Sequence, residues 1–130
     1  MAQFTAPRAR NCSPNAARSA VVAQVKPRGY RLSARFIIHT VGPIWRGGKN
    51  DEARTLANCY RNSLQLTVKN EIKTVAFPAI SCGAYGYPIK EAAQIASKAT
   101  REFLAVSDEL EKVIFAVWDE DVYDAYLQVL

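Results

Sequence analysis

Phe77-Pro78-Ala79-Ile80-Ser81-Cys82-Gly83-Ala84-Tyr85-Gly86-Tyr87-Pro88 joins an apolar, β-rich run to a segment of helical period, and its reading decides the fold. A small-residue turn between a strand and a helix offers unpaired N–H groups and the positive end of a helix dipole, the combination that holds an anion such as phosphate. In open α/β sheets ligands bind at the carboxyl ends of strands, where such a turn would lie. Gly83 and Gly86 permit close backbone approach, while Tyr85 and Tyr87 can lay rings against a sugar or base. The P-loop spacing with its lysine and the dinucleotide glycine pattern are both absent. Taken alone, the same residues fit equally a tight turn with tyrosines packed on a sheet edge.

Outward from this turn, short apolar runs alternate with longer segments of helical period, the βα alternation of an α/β domain. The runs Arg35 to Val41, Lys73 to Ile80 and Lys112 to Trp118 are nearly continuous in apolar residues and read as central strands covered on both faces. Gly42-Pro43 breaks the first run, and the polar stretch Arg46-Gly47-Gly48-Lys49-Asn50 leads into a helix whose face is Ala53, Leu56, Ala57, Tyr60, Leu64 and Val68. Pro88 suits a first helical position, followed by the stripe Ala92, Ile95, Ala96, Ala99 and Phe103. Asp119 or Asp121 can cap a last helix carrying Val122, Ala125, Tyr126 and Val129. Ala20 to Val25 reads as a short edge strand ended by Pro27 and Gly29.

With 130 residues, 49% of them hydrophobic, the chain suffices for one core. The division expected is an irregular, disordered basic leader over 1–20 and a single domain over 21–130. The formal charge of +5 is uneven: residues 1–35 hold seven Lys/Arg and no acid, leaving ten basic and twelve acidic residues beyond. Such a front could serve as a transit peptide or a nucleic-acid-binding arm. No apolar stretch approaches the roughly 20 residues that cross a bilayer. Cys12, Cys59 and Cys82 form no Cys-x-x-Cys pair and His39 is the single histidine, so no zinc site, disulfide framework or cofactor is indicated, and a reducing, cytoplasmic setting is expected.

Three segments together resemble the macrodomain family: Ile38-His39-Thr40-Val41-Gly42-Pro43, the helical residues Cys59-Tyr60 and Ser63-Leu64, and the stretch Phe77 to Pro88. The resemblance runs from about Gly29 to Leu130 and is nearest to bacterial O-acetyl-ADP-ribose deacetylases. It implies a mixed sheet flanked by helices on both faces. It further implies that Ser81, Cys82, Gly83, Ala84, Tyr85 and Gly86 wrap a diphosphate, mainly through backbone amides, with Tyr85 along the distal ribose. Trp118, just before Asp119, matches an aromatic that stacks on adenine; on composition alone it reads as a core cap. Cys82 stands where threonine is usual and Ala84 where a larger aliphatic is usual. Cys82 is not expected to act as a nucleophile, and His39, in a strand, reads as a partly buried histidine rather than a base.

The family's opening features have no counterpart: a Gly-Asp-Ile-like turn, an Asn-Ala-Ala-Asn segment, and a glycine-rich loop whose aspartate positions water. Asn15-Ala16-Ala17-Arg18 is too short a likeness to carry their roles. The expectation is therefore a macrodomain lacking its first strands, with an exposed sheet edge, that binds ADP-ribose or an O-acetylated or protein-linked derivative, including ADP-ribosylated protein. Hydrolysis is expected to be impaired, and no catalytic or metal-binding residue is assigned. The alternatives are an active O-acetyl-ADP-ribose deacetylase or ADP-ribosyl hydrolase, and a basic-armed RNA-binding protein; membrane association is not expected and nucleic acid is the least favoured partner.

Overall fold

The computed structural model describes residues 34–130 in full and the backbone of residues 21–24. The leader expected over residues 1–20, and the Pro27 and Gly29 stop, lie outside the described residues. Seven elements follow one another: β1 (Val21–Gln24), β2 (Phe36–His39), α1 (Glu52–Lys69), β3 (Thr74–Phe77), α2 (Ile89–Leu104), β4 (Lys112–Phe115) and α3 (Glu120–Leu127). The fold is α/β, as expected, with both strand orientations. β1 and β2 are antiparallel, Val21 opposite His39, and β3 and β4 are parallel, Thr74 opposite Lys112 and Phe77 opposite Phe115. Among the described residues the two pairs are not hydrogen-bonded to each other and form two two-stranded ladders.

Each strand is shorter than its apolar run. Pro78 has no N–H for the ladder and closes β3 at Phe77. Gly42-Pro43 does the same work after β2. Ala116 still donates its N–H to Phe77 O at 2.8 Å, and the chain then leaves the ladder toward Trp118.

Covering of both faces is not what the described residues show. Val75, Phe77, Val113 and Phe115 pack toward the helices, whereas Thr74, Ala76, Lys112, Ile114 and Ala116 remain exposed. Strand alternation explains the split, since successive side chains point to opposite faces. The open face carries Ala76, Ile114 and Ala116, apolar residues that made the runs read as doubly buried.

The covered face holds an aromatic cluster. Tyr60 of α1 meets Phe77 edge-on at 5.2 Å and Phe115 at 6.2 Å, and Phe115 meets Tyr126 of α3 at 5.0 Å. α2 packs against both α1 and α3 through Ala92, Ala93, Ala96 and Ala99, small residues that let helix backbones come close. The expected α1 stripe is met at Leu56, Tyr60 and Leu64, all fully buried, while Ala53 is exposed. The buried face also includes Cys59, Ser63 and Thr67. Ser63 donates to Cys59 O at 2.7 Å and Thr67 to Leu64 O at 2.6 Å, so each hydroxyl enters the core already satisfied. Pro88 occupies the N-cap of α2 rather than its first turn. Asp119 occupies the N-cap of α3, its side chain making no capping bond; its carbonyl accepts the Tyr123 N–H at 2.9 Å.

Truncating the fully buried Leu64 to Ala should lower the unfolding free energy by about 2–5 kcal/mol. The exposed Leu127→Ala should stay within about 0.5 kcal/mol of the parent. Urea midpoints of the two variants provide the check.

Candidate functional site

Because β3 and β4 are parallel, the loops after them emerge at the same end of the ladder. The loop after β3 carries Ser81 to Gly86, and the one after β4 carries Trp118. A third segment, the connection from β2 to α1, reaches this end and contacts the first.

The β3–α2 loop is held by its own turns. Cys82 N–H donates to Ala79 O at 3.2 Å, Gly86 N–H to Gly83 O at 2.9 Å and Tyr87 N–H to Ser81 O at 3.0 Å. Ser81 takes a left-handed conformation, φ 67°, as does Gly86 at φ 63°. A serine at positive φ is uncommon, and its cost is tolerated where the surroundings fix the chain. Here they do: Tyr60 Oη accepts the Ile80 N–H at 3.4 Å and lies 3.2 Å from Tyr126 Oη. Either hydroxyl can be the donor in the bond between the two tyrosines. Burial pushes the Tyr60 phenol well above its ordinary pKa and that of Tyr126 up to about 12, so the pair stays neutral and hydrogen-bonded.

The turns consume the amides of Cys82, Gly86 and Tyr87 and leave those of Gly83, Ala84 and Tyr85 without an acceptor among the described residues. Successive N–H groups without protein acceptors on an exposed loop are a kind of backbone that can hold an anion when they converge. Gly83 has open space where a Cβ would stand, with no described atom within 4 Å of it. Ser81 and Cys82 are half-buried, and Gly83, Ala84, Tyr85 and Gly86 are exposed. The structure thus brings six of the seven expected site residues into one loop.

Trp118, the seventh, is 84% exposed, which overturns the core-cap alternative. Cys82 donates its thiol to Ile80 O at 3.7 Å, and burial raises its pKa, so it is held as a thiol rather than a nucleophilic thiolate. His39, expected to be partly buried, is exposed at the end of β2. Among the described residues no three His, Cys, Asp or Glu side chains are placed to hold a metal ion. A concavity of about 330 Å³ between α2 and α3, lined by Ile89, Lys90, Asp121, Asp124, Ala125 and Gln128, lies to the side of the free amides and includes none of them.

Two supporting residues escape a sequence reading. Trp45 donates its N–H to Tyr85 O at 2.9 Å and sets its ring 4.7 Å from that of Tyr87, fastening the β2–α1 connection to the β3–α2 loop. Glu52, 3% exposed, accepts the N–H groups of Arg46 at 3.0 Å, Gly48 at 3.2 Å and Asn50 at 2.7 Å, drawing residues 46–50 into a ring behind Trp45. Gly48 is required there: at φ 80°, a Cβ would come within 2.9 Å of the Trp45 ring. At Gly42 a Cβ would stand 2.2 Å from Ser81 Oγ, so the two loops touch only because this residue lacks one. An aromatic followed by paired glycines was the available signal for Trp45.

Residues 8–96 match the Macro domain family, and the chain belongs to it. A macro domain-containing protein of Chlorobaculum tepidum is 52% identical over 103 residues, covering 79% of this chain and 60% of that protein. An O-acetyl-ADP-ribose deacetylase of Klebsiella pneumoniae is 50% identical over 99 residues, covering 76% and 57%. The chain therefore spans less than two thirds of the length of these relatives. Among solved structures, the Oceanobacillus iheyensis macrodomain with ADP superposes with a TM-score of 0.76 at 40% identity, covering 85% of this chain and 55% of that one. The Trypanosoma brucei macrodomain in complex with ADP-ribose gives 0.73 at 36% identity, covering 84% and 44%.

Glu52 sets a pH dependence. Burial alone would raise its pKa, but the backbone N–H groups converging on it hold it down at about 2, against 4.5 for the free side chain. A depressed carboxylate contributes stability in full above the unfolded pKa and loses it as pH falls through the folded one. Urea midpoints of the parent should therefore drop between pH 4.5 and about 2. Those of Glu52→Gln should start lower at pH 7 and change less across that window.

Proposed function

We propose that this chain binds ADP-ribose, or an O-acetylated or protein-linked derivative of it, and hydrolyses it poorly or not at all. The observation that carries the reading is the run of free amides at Gly83, Ala84 and Tyr85 on a loop fixed from three sides. A diphosphate is the ADP-ribose group that such amides suit, because charge-assisted bonds from backbone N–H to an anion are stronger than neutral ones. Tyr85, beside the free amides, is available to the distal ribose. Trp118, exposed at the carboxyl end of the neighbouring strand, is available to the adenine face. Ser81 and Cys82 contribute shape and backbone, and Gly86 the turn that closes the cradle. That related macrodomains were solved with ADP and with ADP-ribose supports the same reading.

What the loop after β3 offers supports the reading of poor hydrolysis. Its side chains include no carboxylate or imidazole, and its thiol is held protonated by burial. General-base catalysis needs a titrating group within hydrogen-bond reach of the attacking water, and catalysis is sensitive to shifts of about 1 Å in such placement. Binding needs only the amides and the rings.

Calorimetric titration with ADP-ribose tests this. The full chain should show saturable binding, and Tyr85→Ala combined with Trp118→Ala should weaken it by about tenfold or more, the stacking contribution per base being roughly 1–3 kcal/mol. Gly83→Ala is the sharper variant. Its methyl meets nothing in the chain, so the thermal midpoint should not move. Affinity should still fall by about tenfold to a hundredfold, because the added methyl would hold an anion off the neighbouring amides, and each bond to a charged group is worth about 1.5–3 kcal/mol. Acetate release from O-acetyl-ADP-ribose should match the buffer blank. Undiminished affinity in Gly83→Ala would remove the loop from the site, and saturable acetate release would establish the hydrolase instead.

A further inference from the structure

In the proposed complex the ligand has a direction, with adenine by Trp118 and the distal ribose by Tyr85. Tyr85 is also the residue that the β2–α1 connection grips: its carbonyl accepts the Trp45 N–H at 2.9 Å, and the Trp45 ring lies 4.7 Å from that of Tyr87. ADP-ribose is joined to a protein through its distal ribose, so a polypeptide carrying it leaves the site beside Tyr85. The surface at that point is the connection itself, with Arg46 next to the anchored Trp45 and Lys49 three residues further on.

The two ends of the site differ in charge. Beyond Trp118, Asp119, Glu120 and Asp121 are exposed, and no lysine or arginine occurs from Val113 to Leu130. From Thr40 to Asn50 the signs are reversed: Arg46 and Lys49 are exposed, and no acidic residue occurs. Asp51, next in the chain, is offset by the exposed Arg54, and Glu52 is buried with its carboxylate occupied by three N–H groups. Neither Arg46 nor Lys49 pairs with a carboxylate among the described residues. The bonds to Glu52 also hold the backbone of residues 46–50, so both cations stand on a chain that need not order itself when a partner arrives.

We infer that Arg46 and Lys49 receive carboxylates of the polypeptide that carries the ADP-ribose, so that the site prefers a modified residue with acidic neighbours on either side, whatever the linkage. This rests on the ADP-ribose reading above and adds the sequence of the carrier to it. Acidic neighbours meet two cations that have no other partner, and basic neighbours meet like charge, which is how charged rims select among partners. Both side chains are exposed, so the preference is modest, is screened by salt and acts on affinity for the carrier rather than on the fold.

The test is calorimetric titration of the full chain with two peptides that carry ADP-ribose on the same central serine, Gly-Glu-Glu-Ser-Glu-Glu-Gly and Gly-Lys-Lys-Ser-Lys-Lys-Gly, with free ADP-ribose alongside. At about 10 mM salt the acidic peptide should bind about tenfold more tightly than the basic one, and the ratio should fall toward one at about 1 M, where charges are screened beyond roughly 3 Å. Arg46→Gln with Lys49→Gln should cut the low-salt ratio about threefold or more, and Arg46→Glu with Lys49→Glu about tenfold or more. The control for the chain's net charge of +5 is Lys69→Glu with Lys112→Glu, the same change at the last residue of α1 and the first of β4, and it should alter the ratio less than about twofold. Equal effects of the two Glu pairs would assign the preference to net charge and overturn the inference. Equal affinity for both peptides in a chain that binds free ADP-ribose would also overturn it, and would leave the ADP-ribose site standing. A folded chain that binds neither free ADP-ribose nor either peptide would remove that reading and this inference together.

Discussion

The parallel pairing of β3 with β4, with Phe77 opposite Phe115 and the Tyr60 and Tyr126 rings laid over them, is the constraint on which the rest of the structure depends. It fixes which end of the ladder carries both loops. It also brings α1 and α3 onto one face, where their tyrosine hydroxyls pair and take the Ile80 N–H. Apolar packing and one buried polar contact thus act on the same atoms: the rings set the distance between helix and strand, and the hydroxyl sets where the loop after β3 begins. Truncating buried aromatics typically costs about 3–5 kcal/mol, so the loop's starting point is coupled to global stability rather than to a local preference.

From that start the loop is shaped by subtraction. Its turns use three amides, and three, on residues exposed to solvent, have no acceptor among the described residues. The opposite support comes from Trp45, pinned by one backbone bond and one ring contact, with Glu52 closing the chain behind it. An ionised, largely buried carboxylate is costly unless satisfied, and here the backbone of residues 46–50 satisfies it near a helix N-terminus, where negative charge is favoured. For the proposed role such stiffness matters, because amides that already point at a ligand bind it at a smaller entropic cost.

Much of this was legible in the sequence, for identifiable reasons. Leu56, Tyr60 and Leu64 repeat at helical spacing, Pro78 and Gly42-Pro43 punctuate the strands, and the glycine-bearing turn between strand and helix announces its own chemistry. What stayed hidden depends on how the chain closes. Ser63 and Thr67 are polar yet buried, each hydroxyl returning to a carbonyl of its own helix, which apolar spacing does not announce. Glu52 has no marker in the sequence, since its three amide partners exist only after the loop closes. Ile114 and Ala116 read as buried because apolar runs do not reveal whether a second layer covers them. That β2 and β3 form no ladder with each other among the described residues was likewise invisible, since βα alternation gives the order of strands in the chain but not their neighbours in space.

The central claim is that the free amides of Gly83, Ala84 and Tyr85 receive the diphosphate. The direct measurement is a ¹⁵N–¹H correlation spectrum of the chain titrated with ADP and, in parallel, with adenosine. The account predicts that ADP shifts these three amide protons downfield, as new bonds to an anion form, while adenosine leaves them in place and perturbs only the indole signal of Trp118. Equal shifts with both ligands, or none at residues 83–85 with ADP bound, would contradict it and put the phosphates elsewhere.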